Sequence, residues 1–152
     1  MIEYRRATSQ NNDFQVLVRL LDKHLSVING NDDAFFAALN TVEQIHHVIV
    51  AYSGNSSVGC GALKGFADDT AEIKRMFVLE EYRGRGIAQE ILAELEVWAL
   101  EIGFSRCILE TSKQLTSAVR LYEKGGYILI PNYGQYQGVE TSVCMQKIIH
   151  LV

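Results

Sequence analysis

The stretch EYRGRGIAQEIL, residues 81–92, sets two arginines and two glycines in alternation and then turns apolar at helical spacing. The first turn of a helix carries unpaired N–H groups and about half a positive charge. A glycine there removes the Cβ that would hold an anion away from the backbone. Gly84 and Gly86 stand where they do this, and Arg83 and Arg85 add charge and orient the loop. The pattern suits a phosphate. Neither of two common phosphate motifs is met: no GxxxxGK string occurs, and GRGIAQ lacks the third glycine of a dinucleotide fingerprint. On these residues alone, solvated arginines and a glycine that eases helix–sheet packing are the competing reading.

The other chemically able residues argue mostly by exclusion. Cys60, Cys107 and Cys144 are widely spaced and form no CxxC, so they read as small buried hydrophobes in a reducing compartment. His24, His46, His47 and His150 offer no ligand spacing, and no metal is expected. A net charge of -4 argues against nucleic acid as a partner. No apolar run reaches the ~20 residues of a membrane span, so no membrane partner is expected either. MIEYRRATSQ lacks the apolar core of a signal peptide, which makes the cytoplasm the expected location. With 152 residues, 48% of them hydrophobic, the chain reads as one globular domain over 1–152.

The elements that position the loop follow from periodicity. Residues 2–7 read as a first strand. From Asp13, apolar Phe14, Leu17, Val18, Leu21, Leu25 and Ile28 recur with helical period and stop at Asn29–Gly30. DDAFFAALN suggests a second helix, with Asp32 as its N-cap. Three β-rich runs joined by short turns follow, at residues 45–52, 58–66 and 70–80, and predict an antiparallel meander. After the loop, Ile87, Ile91, Leu95, Trp98 and Ile102 form a helical stripe, with Glu90, Glu94, Glu96 and Glu101 away from its centre. Residues 104–111 are the next strand, expected parallel to the one before the loop. TSAVRLYEK predicts a helix capped by Thr116 or Ser117, and two C-terminal strands finish the chain. The fold class is α+β: a mixed, mostly antiparallel sheet of about seven strands with helices on both faces.

RGRGIA matches the Q/R-x-x-G-x-G/A signature of the GNAT acetyltransferase superfamily, with Arg83, Gly86 and Ala88 at the defining places. SAVRLYEKGGY, residues 117–127, is similar to that family's second segment, A-x-x-L-Y-E-K-x-G-F/Y. Order and spacing agree over nearly the whole chain. The resemblance implies acetyl-CoA as co-substrate, held through Phe77, Val78, Arg83, Gly84, Arg85, Gly86, Ile87, Ala88, Thr111 and Tyr122. It further implies splayed parallel strands ending near Val78 and Thr111. Leu115 departs from the family, since many members carry Asn or Gln there; the lost polar contact is worth about 1 kcal/mol of cofactor binding.

The implied reaction is acetyl transfer to a primary amine in a ternary complex. At pH 7 only about one alkylamine in a thousand is neutral, so a base is useful. Glu72, eleven residues before Arg83, stands where histone-modifying members carry a glutamate base; pairing with Lys74 is the plainer role. Val78 N–H is expected to meet the developing oxyanion. Tyr122 is expected to protonate the departing thiolate, and it is equally a core aromatic. For the acceptor, Glu110, Tyr133 and Tyr136 are candidates, with Asp22, Asp32 and Asp33 suited to a cation. A small amine is the expected substrate partner, and the C-terminal strands are the candidate homodimer surface. A protein lysine or N-terminal acetyltransferase and a non-catalytic acyl-CoA sensor are the two alternatives.

Overall fold

The computed structural model describes residues 1–30 and 45–149. The helix expected at residues 32–40, with Asp32 and Asp33, lies outside the described residues, as does His150. The strands hydrogen-bond in the order β1-β2-β3-β4-β5-β7-β6. Their ranges are β1 Ile2–Ala7, β2 His47–Ser53, β3 Ser56–Ala67, β4 Thr70–Val78, β5 Arg106–Ser112, β6 Ile128–Ile130 and β7 Ser142–Ile148. The helices are α1 Asn12–Asn29, α2 Ile87–Ile102 and α3 Thr116–Lys124. Among the described residues no helix is long and apolar enough to cross a membrane. The chain divides into two compact units, Met1–Lys64 with Ile73–Leu95 and Gly65–Glu72 with Glu96–Val152.

In the first unit, β1 and β2 pair antiparallel from Ile2↔Ser53 to Ala7↔Val48. The β2–β3 register closes at Ser53↔Ser56, which leaves a two-residue Gly54–Asn55 turn, and Gly54 supplies the positive φ of 60° such turns need. Helix α1 starts on Asn11, whose Oδ1 accepts from Phe14 N at 2.9 Å, and ends at Gly30 with φ 54°. Its buried face of Phe14, Leu17 and Val18 packs with Val48, Val50, Tyr52, Cys60 and Ala62.

Strand residues alternate between faces, so Gly59 and Gly61 look the other way from Cys60 and Ala62. A Cβ built on Gly61 would come within 2.6 Å of Met76 Sδ, 2.7 Å of Ile91 Cγ2 and 2.9 Å of Leu95 Cδ1. Helix α2 therefore packs against β3 with no room for a side chain there, on the face opposite α1. The buried stripe of α2 is Ile87, Ile91, Leu92, Leu95 and Ala99; Ile102, the last helical residue, is exposed.

In the second unit the start of β4 runs parallel to β5, with Thr70↔Arg106, Ala71↔Cys107 and Glu72↔Ile108. Strand β5 is antiparallel to β7 over its full length, Arg106↔Ile148 to Ser112↔Ser142, and β6 pairs with β7. Glu96 is not a solvated charge. It accepts from Tyr127 Oη at 2.9 Å and from Lys147 Nζ at 2.8 Å, tying α2 to the segment before β6 and to β7. The N-cap of α3 is Leu115, without a side-chain hydrogen bond, rather than Thr116 or Ser117. Ser112 sets this register one residue earlier, taking Gln114 N on its Oγ and Leu115 N on its carbonyl. Cys60, Cys107 and Cys144 are all free and buried. Burial pushes the Cys60 and Cys107 thiols up to about 12.

Candidate active site

Strand β4 leaves the sheet at Val78, makes one 3-10 turn over Glu80–Tyr82, and reaches the glycine–arginine loop. Gly84 and Gly86 take φ of 77° and 78°, a region that side-chain-bearing residues avoid. Nothing lies within 4 Å of where their Cβ atoms would stand. Glycine is thus required twice, by the backbone conformation and by the open approach it leaves. Glu90 N bonds to Gly86 O at 3.1 Å, so Gly86 occupies the N-cap of α2 and brings no side chain to it. The N–H groups of Ile87, Ala88 and Gln89 consequently have no acceptor within the helix.

The two arginines shape this loop through main-chain oxygens. Arg83 Nε donates to Val78 O at 3.0 Å, and its guanidinium lies 5.8 Å from the Phe77 ring centre. Arg85 Nη2 donates to Glu81 O at 3.2 Å and stacks 4.8 Å from the Tyr82 ring. Phe77 packs its ring against the α1 core, which leaves its backbone as the part able to meet a ligand.

Three charged residues in β4 are buried: Glu72, Lys74 and Arg75. Glu72 has a partner far off in the sequence. Tyr133 Oη donates to Glu72 Oε2 at 2.6 Å, across 61 residues of sequence. Burial first, and the Glu72 charge second, hold the Tyr133 phenol far above its ordinary range. Around Tyr133 stand Phe66 and Tyr136, each edge-on, with ring centres at 5.1 Å and 5.6 Å. Asn132 clamps the loop by donating to Tyr136 O and Val139 O at 3.1 Å and 3.0 Å. Phe66 carried no sequence signal, because nothing in its local pattern points to residue 133.

Asp22 already has a cationic partner. It holds Arg75 Nη1 at 2.5 Å, and Arg75 adopts a φ of 59°, unusual for a residue with a side chain.

Glu110 lies two positions beyond Ile108, the partner of Glu72, and so shares its face; its Oε2 accepts from Ser142 Oγ at 2.7 Å. Thr111 is buried on the opposite face, with Cys107 and Leu109. Tyr122 is buried on α3 and meets Tyr127 edge-on at 6.0 Å. Burial, and then Glu110, raise its phenol well above the usual value, so it stays protonated at neutral pH. The structure thus joins Glu72, Tyr133 and Tyr136 in one cluster and adds Phe66 to it.

The family model for acetyltransferases (GNAT) matches residues 18–127. The chain belongs to the GNAT acetyltransferase family. An uncharacterised N-acetyltransferase of Escherichia coli is 33% identical over 108 residues, 70% of this chain and 64% of that protein, so the match spans less than two-thirds of that relative's own length. The IAA acetyltransferase of Azospirillum brasilense is 31% identical over 136 residues, 86% of this chain and 87% of the relative. Among solved structures, one described as an acyl-CoA N-acyltransferase from Klebsiella pneumoniae superposes with a TM-score of 0.82 at 25% identity, covering 99% of both chains. The PaiA N-acetyltransferase of Thermoplasma acidophilum, crystallised with coenzyme A, gives 0.72 at 19% identity over 97% of this chain and 99% of its own. This GNAT chain carries a strand–loop–helix in which Gly84 and Gly86 both take positive φ.

Proposed function

We propose that the chain is an acetyl-CoA-dependent N-acetyltransferase acting on a small primary amine. The observation that carries this reading is the glycine-capped start of α2: a 16-residue helix whose first N–H groups are open, behind a loop held in shape by Arg83 and Arg85. Backbone donors from Arg83 to Ala88 would take the pyrophosphate. The open space over Gly84 and Gly86 fits a ligand pressed against the main chain. The coenzyme A complex of the Thermoplasma relative supports the same choice of ligand.

The chemistry then divides among named groups. Glu72 takes a proton from the ammonium, and the neutral nitrogen attacks the thioester carbon. The Val78 N–H meets the oxygen as it gains charge. When the C–S bond breaks, the thiolate recovers a proton from Tyr122, whose burial keeps it protonated until then. Two protons leave the nitrogen, one ends on sulfur, and one is released. A compact amine is favoured over a protein tail because Tyr133 and Tyr136 crowd the Glu72 carboxylate.

The test removes one backbone donor from the loop's end of α2. Ala88→Pro deletes the N–H of the second helical residue, counted from the Gly86 N-cap, a group with no acceptor inside the helix. Hydrogen bonds to charged groups are worth roughly 1.5–3 kcal/mol, so calorimetry should show acetyl-CoA affinity falling roughly ten- to a hundred-fold. Unchanged affinity in a folded variant would place the pyrophosphate elsewhere and sink the loop assignment.

A further inference from the structure

Among the described residues, the cluster around Tyr133 has a feature that simple core packing does not call for. A phenol is aimed at the buried carboxylate on β4 and held there from three sides. Phe66 and Tyr136 fix its ring by their edges, and Asn132 pins the backbone at Tyr136 and at Val139. Tyr136 is buried, whereas Phe66 is 46% exposed, so the cluster opens to solvent on the Phe66 side. A ligand arriving from that side meets aromatic faces and edges first and the Glu72 oxygen behind them. Aromatic rings next to a carboxylate attract a cation through both the ring quadrupole and the charge.

The same arrangement repels anions. Glu110 shares the sheet face with Glu72, held by Ser142. Arg106 also lies on this face, but at the first residue of β5, where its Nε donates to Thr70 Oγ1 and its Nη1 to Gln146 Oε1. Its fork is engaged at the end of the strand away from Glu110. A carboxylate beside the incoming nitrogen would face two like charges.

We propose that Tyr133 is the specificity-determining residue of the acceptor site. Its hydroxyl occupies Glu72 in the free protein and yields that oxygen to an incoming ammonium. The rings of Phe66, Tyr133 and Tyr136 then receive an amine with an apolar or aromatic body and no carboxylate next to its nitrogen. This inference rests on the acetyltransferase reading and narrows its substrate class to amines other than free amino acids.

Steady-state kinetics at saturating acetyl-CoA test it with two probes that differ by one carboxylate, 2-phenylethylamine and phenylalanine. The wild-type kcat/KM should favour 2-phenylethylamine by roughly ten-fold or more, since the carboxylate of phenylalanine would meet charges of its own sign at Glu72 and Glu110. Tyr133→Phe keeps the ring and removes the competing donor, so the KM for 2-phenylethylamine should fall a few-fold. Tyr133→Leu removes the ring as well, and KM should rise by roughly three- to ten-fold as the cation–π contribution is lost. A merely structural tyrosine would move both variants the same way. Equal preference for the two probes, or KM shifts of one sign in both variants, would overturn the assignment. A sample that binds no acetyl-CoA fails the acetyltransferase reading instead. One that binds it and turns over phenylalanine preferentially fails only the role given to Tyr133.

Discussion

The loop at the start of α2 and the cluster around Glu72 use opposite means. The loop is exposed, made of main-chain groups, and uses glycines at φ of 77° and 78° to bare them. Its arginines spend hydrogen bonds on the carbonyls of Val78 and Glu81 and so act as local struts. The Glu72 cluster is formed by side chains from β3, β4 and the segment before β7, and it is closed by one 2.6 Å hydrogen bond. A backbone site offers every acyl-CoA the same donors and has little to discriminate with. A side-chain site discriminates through each ring and oxygen, and each can be altered singly. Affinity for the common co-substrate and selectivity for the acceptor can therefore vary independently within one fold.

The largest effect should fall on chemistry alone. Tyr122→Phe keeps the ring and its edge contact with Tyr127, so acetyl-CoA affinity should hold. Turnover should drop by roughly a hundred-fold, the low end of what a positioned acid contributes. Stopped-flow turnover beside calorimetry reads both, and a drop in both together would mean the two functions are not separable. A second effect concerns what sets the helix. Gly61→Ala would thrust a methyl group against Met76, Ile91 and Leu95, and overpacking of this kind costs roughly 1–3 kcal/mol in denaturant unfolding. Because the disturbance lies under α2, acetyl-CoA affinity should weaken more than the preference between acceptor amines. The smallest effect appears on titration. The Cys60 thiol is raised by burial from 9.0 to about 12. Between those values the unfolded chain is ionised and the folded one is not, so stability falls as pH rises from about 9. The slope is about 1.4 kcal/mol per pH unit for one thiol. Cys60→Ala should lessen the slope by about that amount in thermal melts at pH 9–11, the Cys107 thiol keeping a like share in both proteins, and an unaltered slope would assign it to other groups.

The two regions also differ in how far the amino-acid order reveals them. The loop is legible because its parts are consecutive: strand, two glycines and helix follow one another between Thr70 and Ile102, and local periodicity marks each. The strands and helices follow for the same reason. Glu72, Tyr133 and Tyr136 stand out singly, but their junction is not legible, because Tyr133 lies 61 residues from Glu72 and the β4–β5 and β5–β7 registers are what bring the two segments together. Arg75 and Asp22 are a similar case, separated by 53 residues. Glu96 lies off the centre of its helix's apolar stripe, yet Tyr127 and Lys147 reach it from segments whose placement no local pattern encodes. The cap of α3 shifted for a nearer reason, since Ser112 turned the chain one residue before the threonine and serine that looked best suited.

The depth of the three cysteines has a practical corollary. Thiolates, not thiols, attack disulfide dyes, and near pH 8 the folded chain presents almost none of its own. A chromogenic disulfide in the reaction mixture would thus colour only with the coenzyme set free by each turnover. Any slow additional colour, three equivalents per chain at most, would count molecules that have come open, so one cuvette would record both catalysis and the lifetime of the native state.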